Sequence, residues 1–173
     1  MVYASLARQV RVSENTARSW VGALAALHVG FLVRPWHRNI ALAIRKEPKW
    51  FLRDWSIIQD IGKRAETFVA CHLLKAVEGW TDMGFGKFDL YYIRDKAKRE
   101  VDFLVTQDNQ PWFLAEVKNA ETHLAPALTL MQVQTGARHA FQVVIEEPYV
   151  EADCFCRKEP VVVPARTFLS QLI

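Results

Sequence analysis

The chain has 173 residues, 51% of them hydrophobic and 24% charged. That is enough apolar material to pack one medium domain, or a small module beside a compact one, and too much for a disordered chain. Its 22 Lys and Arg against 19 Asp and Glu leave a formal charge of +3, which permits nucleic-acid binding without identifying it. No run is long and apolar enough to span a bilayer, and Arg8, Arg11 and Glu14 interrupt any signal-peptide pattern, so a soluble cytoplasmic protein is expected. Neither G-x-x-x-x-G-K-[ST] nor G-x-G-x-x-G occurs, which removes the common phosphate-loop routes to ATP and dinucleotides. The three cysteines, Cys71, Cys154 and Cys156, form neither a disulfide framework nor a complete zinc-ligand set.

In chain order, the first segment reads as helix, turn, helix. A short helix closes at Leu6-Ala7 and a turn follows at Val10-Arg11-Val12. Ser13 is a good N-cap for a second helix from about Glu14 to Leu27, with Glu14 placing negative charge at its start. Thr16, Trp20, Ala23, Leu24 and Leu27 form its apolar stripe, and Gly30 closes the helical region. Phe31-Leu32-Val33 and Ile40-Ala41-Leu42 flank Pro35 to Asn39 as a small hairpin, the wing of a winged helix-turn-helix. Asn15, Arg18 and Ser19 on the second helix, with Arg38 in the wing, are then the candidate nucleic-acid contacts. A winged helix that docks on protein is the alternative.

A boundary near residues 45–49 divides the chain into 1–45 and 46–173. Beyond it, a long helix is expected from about Gly62 to Val77, then strands at Phe88–Ile93, Glu100–Val105 and Trp112–Lys118. A helix at Pro126–Gln134, a strand at Ala140–Ile145, a short apolar run at Val161–Val163 and a closing helix at Thr167–Ile173 complete an α/β pattern.

The chemistry concentrates in the hairpin from Glu100 to Lys118. Strict alternation places Val101, Phe103 and Val105 on one face and Asp102 on the other. On the second strand, Glu116 and Lys118 share a face. A turn centred on Asn109 sets Asp102 opposite Glu116 and Glu100 opposite Lys118. Opposed carboxylates repel, and a divalent cation, Mg2+ or Mn2+, would relieve the repulsion through hard oxygen ligands. Lys118 would then act on the reacting phosphate. Glu66 falls on the apolar face of the long helix with Val69, Ala70, Leu73 and Val77, which makes it a further acidic candidate. The alternatives are a solvated polar face for the hairpin and a boundary residue reaching water for Glu66.

Asp102, then Glu116-Val117-Lys118, with Glu66 on the preceding helix, resemble the PD-(D/E)xK nuclease superfamily, although Val101 and not proline precedes Asp102. Almost the whole chain resembles a domain of unknown function found C-terminal to the ATPase core of bacterial and archaeal AAA+ proteins. The matching stretches run from Val12-Ser13-Glu14-Asn15-Thr16 through Pro48-Lys49, Asp54, Gly62, Glu66 and Arg99 to Phe103, to Glu116 to Lys118 and Pro164-Ala165. The resemblance implies a restriction-endonuclease-like central mixed sheet flanked by helices over residues 46–173, preceded by the winged helix-turn-helix. It also implies a metal-dependent nuclease with Asp102, Glu116, Lys118 and Glu66 as site residues, the three acids holding the metal. The partners implied are nucleic acid and an upstream AAA+ ATPase absent from this chain. A catalytically inactive nuclease-like module that positions the ATPase on DNA or protein is the alternative.

Overall fold

The computed structural model describes residues 3–36 and 47–172. Helix α1 (Tyr3–Val10) and helix α2 (Glu14–Ala26) are joined by a turn in which Arg11 takes φ +55°. Ser13 caps α2 as its residue type predicts, its hydroxyl accepting from the Thr16 amide at 3.1 Å. The pair closes through Tyr3, Ala7, Ala17 and Val21. Ala7 and Ala17, the small members of this set, let the two helices approach, and this decides which face of α2 is buried. The apolar stripe expected to pack therefore points outward, with Trp20 52% and Leu27 73% exposed.

The end of α2 also differs from expectation. The helix is closed by His28, at φ +57°, and by the Val29 amide donating to the Leu24 carbonyl at 3.0 Å, a left-handed C-terminal stop of the kind glycine usually makes. Gly30 instead opens a strand. A Cβ there would sit 2.4 Å from both the Phe51 carbonyl oxygen and the Trp50 ring, so glycine is required for close approach of two strands.

One sheet of seven strands organises the rest. In chain order these are β1 (Gly30–Pro35), β2 (Lys49–Leu52), β3 (Phe88–Arg94), β4 (Glu100–Gln107), β5 (Gln110–Lys118), β6 (His139–Val144) and β7 (Val161–Pro164). Their spatial order is β2-β1-β3-β4-β5-β6-β7. The sheet is mixed: β1 runs parallel to β3, β5 to β6 and β6 to β7, and the other pairs are antiparallel. β1 pairs with β2 and joins the central sheet. The other arm of the expected wing, residues 40–42, lies outside the described residues, as does Arg38.

Long helix α3 (Ile61–Asp82) covers one face. Val69, Ala70, Leu73, Ala76 and Val77 pack there with Phe103, Val105, Phe113, Ala115, Phe141 and Val143. Helix α4 (Pro126–Thr135), with proline in its first turn, covers the other face through Leu128 and Met131 against Leu104, Leu114 and Ala140. The terminal helix α5 (Ala165–Leu169) returns to the α3 side through Phe168. Among the described residues no helix is long and apolar enough to cross a membrane.

Two irregularities bear on the site. Between β4 and β5 the turn is Asp108-Asn109, both at positive φ, the two-residue form that matches strand twist. A bulge at Trp112 then restores the pairing centred on Asn109, giving Val105↔Phe113, Leu104↔Leu114 and Phe103↔Ala115. Between β3 and β4 the pairing passes from Tyr91↔Leu104 to Ile93↔Val101. β4 thus carries an extra residue at Asp102-Phe103. Val101 consequently packs with Leu104 on the α4 side, while Phe103 packs on the α3 side. Strict alternation through Val101, Phe103 and Val105 fails at the bulge.

The contact at Gly30 is testable. Gly30→Ala should destabilise the protein by about 1–3 kcal/mol through overpacking against β2, read as a lowered urea midpoint with unchanged slope. An unchanged midpoint would show that β1 and β2 do not approach as described.

Candidate active site

The bulge places Asp102 where β4 leaves its ladder with β5. Beyond Phe103↔Ala115 the carboxylates themselves bridge the two strands. The Asp102 amide donates to Glu116 Oε2 at 3.3 Å, and the Val117 amide donates to Asp102 Oδ2 at 3.0 Å. Asp102 and Glu116 thus stand side by side, as the turn centre predicts. Lys118 lies one pleat further along β5, its Nζ 2.9 Å from Glu116 Oε1. Glu116 is buried, and its neighbour on β6 is Gln142.

Glu66 comes from the second turn of α3, and the carboxylates it joins meet on Lys49, a residue outside the site expected from the sequence. Lys49, at the start of β2, directs its Nζ to Glu66 Oε1 at 2.8 Å, Glu100 Oε1 at 2.7 Å and Asp102 Oδ1 at 3.6 Å. Its ammonium also lies 5.4 Å from the centre of the Tyr92 ring, within cation–π range. Glu100 therefore belongs to Lys49, with Arg94 Nε at 3.7 Å. The expected Glu100–Lys118 pairing does not form, because β4 and β5 part at Phe103↔Ala115. The topology explains the meeting. The start of β2, the end of β3, the start of β4 and the end of β5 all lie at one edge of the sheet.

The electrostatics follow from this crowding. Burial, and then the neighbouring Glu116 and Glu66, push the Asp102 carboxyl up to about 7, against the opposing pull of Lys49 and the Val117 amide. Burial on its own would lower the Lys49 ammonium. The carboxylates of Glu66, Asp102 and Glu100 outweigh it and raise the group well above its ordinary value. Lys118 is raised in the same way, burial opposing and Glu116 prevailing. Around these atoms Glu66, Glu100, Asp102 and Glu116 face two lysines, with Arg94 at the rim. A surplus of hard oxygen donors and negative charge suits a divalent cation in kind. Among the described residues, however, no three His, Cys, Asp or Glu side chains are grouped to hold a metal ion, and the point where Glu66, Glu100 and Asp102 meet is taken by the Lys49 ammonium.

Gln132 donates to the Lys158 and Ala137 carbonyls, at 2.6 and 3.3 Å, and Gln134 is exposed. The glutamine that serves the site region is Gln142, fully buried on β6. It accepts from the Ala125 amide and donates to the Glu121 and His123 carbonyls, so it fixes the loop that follows Lys118. The His123 side chain is exposed. On α2, Asn15 and Ser19 are exposed, while Arg18 pairs with Glu14 at 2.6 Å and lies 4.1 Å over the Tyr3 ring.

Fold and site together define a mixed α/β protein with a lysine-bridged carboxylate cluster at one edge of its sheet. The chain belongs to the family described as a domain of unknown function, DUF4143, whose model matches residues 61–150. A second domain of unknown function, DUF8612, matches residues 1–67. No curated protein and no solved structure matches the chain.

The Asp102 environment has a consequence for stability. Its folded pKa, about 7, lies above the unfolded value of 3.8, so the folded state binds more protons between those values and its stability falls as pH rises through that window. Asp102→Asn removes this dependence. The variant should gain on the wild type as pH rises from 4 to 8, by at most about 4 kcal/mol at the upper end. Parallel urea-stability profiles for the two proteins would show that the carboxylate carries no such strain.

Proposed function

We propose that this chain is a metal-dependent nuclease-like domain acting on phosphodiester bonds of nucleic acid, with Mg2+ or Mn2+ as its cation. In this reading the sheet and its helices are of the restriction-endonuclease-like kind, α1 and α2 belong to a winged helix-turn-helix, and the domain serves as the C-terminal part of an AAA+ ATPase. The observation that carries the proposal is the contact of Asp102 with Glu116 across the end of β4 and β5, with Lys118 on Glu116. A β-sheet does not gather like charges at the ends of its strands without a use for them.

Asp102, Glu116 and Glu66 are the residues that would hold the cation. When bound, it supplies positive charge against the phosphate and acidifies a water molecule. The chain's own groups do the rest. Lys118, oriented by Glu116, stabilises charge on the non-bridging phosphate oxygens. Gln142 holds residues 121–125 rigidly beside the end of β5. The burial of Glu116 and Asp102 keeps their oxygens from free rotation.

A second reading has its own support. The outward face of α2 is Trp20, Leu24 and Leu27, a surface better suited to protein than to phosphate, and Arg18 is already engaged by Glu14 and Tyr3. These observations favour a protein-docking role for the N-terminal helices within the same nuclease-like chain, or within an inactive module that positions an ATPase.

Two measurements separate these readings. Mn2+ at about ten times its Kd should raise Tm by roughly 3–6 °C. Glu116→Gln should abolish that rise together with any cutting of a labelled DNA or RNA, whereas Lys118→Ala should keep the rise and lose the cutting. No thermal shift at any Mn2+ concentration and no cutting would remove the enzyme reading. For the N-terminal helices, DNA affinity should fall steeply with salt, and Arg18→Ala or Arg38→Ala should flatten that slope. Affinity indifferent to salt, or no binding, would assign α2 to a protein partner.

A further inference from the structure

We propose that the cleft between α3 and α5 is a binding site for a nucleotide, a phosphate monoester with an aromatic body. No residue of the carboxylate cluster lines it, so the inference stands apart from the metal-dependent reading above. The cleft has a volume of about 550 Å³, within the range of small-molecule sites and more than an inorganic anion alone would fill. It lies beyond the ends of β6 and β7. Ile145, which follows β6, lines it and donates its amide to the Lys118 carbonyl at 3.0 Å, and Ala165 lines it directly after β7.

The walls select the body of the ligand. From α3, Phe68 and His72 form an edge-to-face pair with ring centroids 4.6 Å apart, and Trp55 meets Phe68 edge-on at 5.0 Å. Phe68 is thereby fixed between two rings. Both Phe68 and His72 line the cleft and are only part-buried, so ring surface held in one orientation is left open to it. A flat aromatic group can pack on such surface by stacking or by its edge. Ile145 and Leu169 complete the wall with aliphatic surface.

The rim selects the charge. Lys75 from α3 and Arg166 from α5 line the cleft, are exposed, and have no ion-pair partner among the described residues. No acidic side chain lines the cleft among the described residues. The His72 imidazole is held below its ordinary value by burial and then by the Lys75 ammonium, as happens where positive charge has no counter-ion. Two permanent cations call for a ligand with two negative charges, and one of them is a guanidinium whose paired N–H groups match phosphate oxygens. A carboxylate would neutralise only one. A phosphate monoester carries about 1.5 to 2 negative charges at neutral pH, and its aromatic body fits the walls that an inorganic ion would leave bare.

The test is calorimetric titration of the full chain with adenosine 5′-monophosphate (AMP), adenosine and inorganic phosphate, together with proton NMR of the His72 ring. AMP should bind the wild type, and adenosine and inorganic phosphate should each bind at least tenfold more weakly, because each keeps only part of the contacts. Lys75→Glu and Arg166→Glu should each weaken AMP at least tenfold. Lys158→Glu, the same change of charge before the opposite end of β7, should leave AMP binding unchanged. The His72 ring protons should shift on saturation with AMP, a reading that needs no substitution. A 5′-phosphorylated oligonucleotide that displaces AMP and binds more tightly would identify a strand end as the source of the phosphate, and one that fails to displace it would identify the free nucleotide; either result upholds the site. Absence of binding of both AMP and the phosphorylated strand at millimolar concentration would overturn the proposal. So would adenosine or inorganic phosphate binding as tightly as AMP, or AMP binding that leaves His72 unmoved or is indifferent to Arg166→Glu.

Discussion

Four carboxylates crowd the edge of one sheet, and the rest of the structure can be understood as the means of tolerating them. Glu116 and Asp102 sit where two strands part, so each can take a backbone amide of the other strand's end. Glu66 arrives from a helix and Glu100 from the first residue of β4. Left alone, this much buried like charge would keep its members protonated or push the strands apart. Lys49 and Lys118 moderate this by sharing all four among two ammonium groups, although burial, Glu116 and Glu66 still hold the Asp102 carboxyl up at about 7. Removing one partner from such a cluster costs far more than the pair contributes when complete, because the remaining charge is stranded.

The backbone is arranged around the same need. The bulge in β4 lets Asp102 leave the alternation imposed by Val101 and Leu104 and reach Glu116 and Lys49. β-Bulges commonly re-aim a side chain in this way. Gly30 allows β1 and β2 to approach closely, which brings the start of β2, and with it Lys49, to the edge. The Cys71 thiol, donating to the Leu52 carbonyl at 3.4 Å, ties β2 to α3, the helix that carries Glu66. On the far side, Gln142 occupies a fully buried position on β6 that an aliphatic residue could fill, and spends its amide on three backbone groups of the loop after Lys118.

Much of this was legible in the sequence, and the reasons are local. The period-two runs at Phe88, Glu100 and Trp112 and the proline at the first turn of α4 gave their elements within a few residues. The pairing of Asp102 with Glu116 followed from a turn centred on Asn109, and two compensating details, the Asp108-Asn109 turn and the Trp112 bulge, leave that centre in place. Lys49 carries no local signal of its role, because that role is set by sheet order. A four-residue strand at the far edge reaches the cluster only once β1 is inserted beside β3. The buried face of α2 was misread for a related reason. The pattern of Trp20, Leu24 and Leu27 is helical in period, but the face that closes on α1 is the one made small by Ala7 and Ala17. The failure of Glu100 to meet Lys118 could not be foreseen from spacing, since a strand pair can end before its sequence pattern does.

On the proposed function, these carboxylates are gathered for a divalent cation. Anomalous X-ray scattering from crystals grown in millimolar Mn2+ tests this most directly. The account predicts an anomalous peak about 2.1 Å from carboxylate oxygens of both Asp102 and Glu116. A site without a peak, with Lys49 still bridging Glu66, Glu100 and Asp102 in the same crystals, would contradict it.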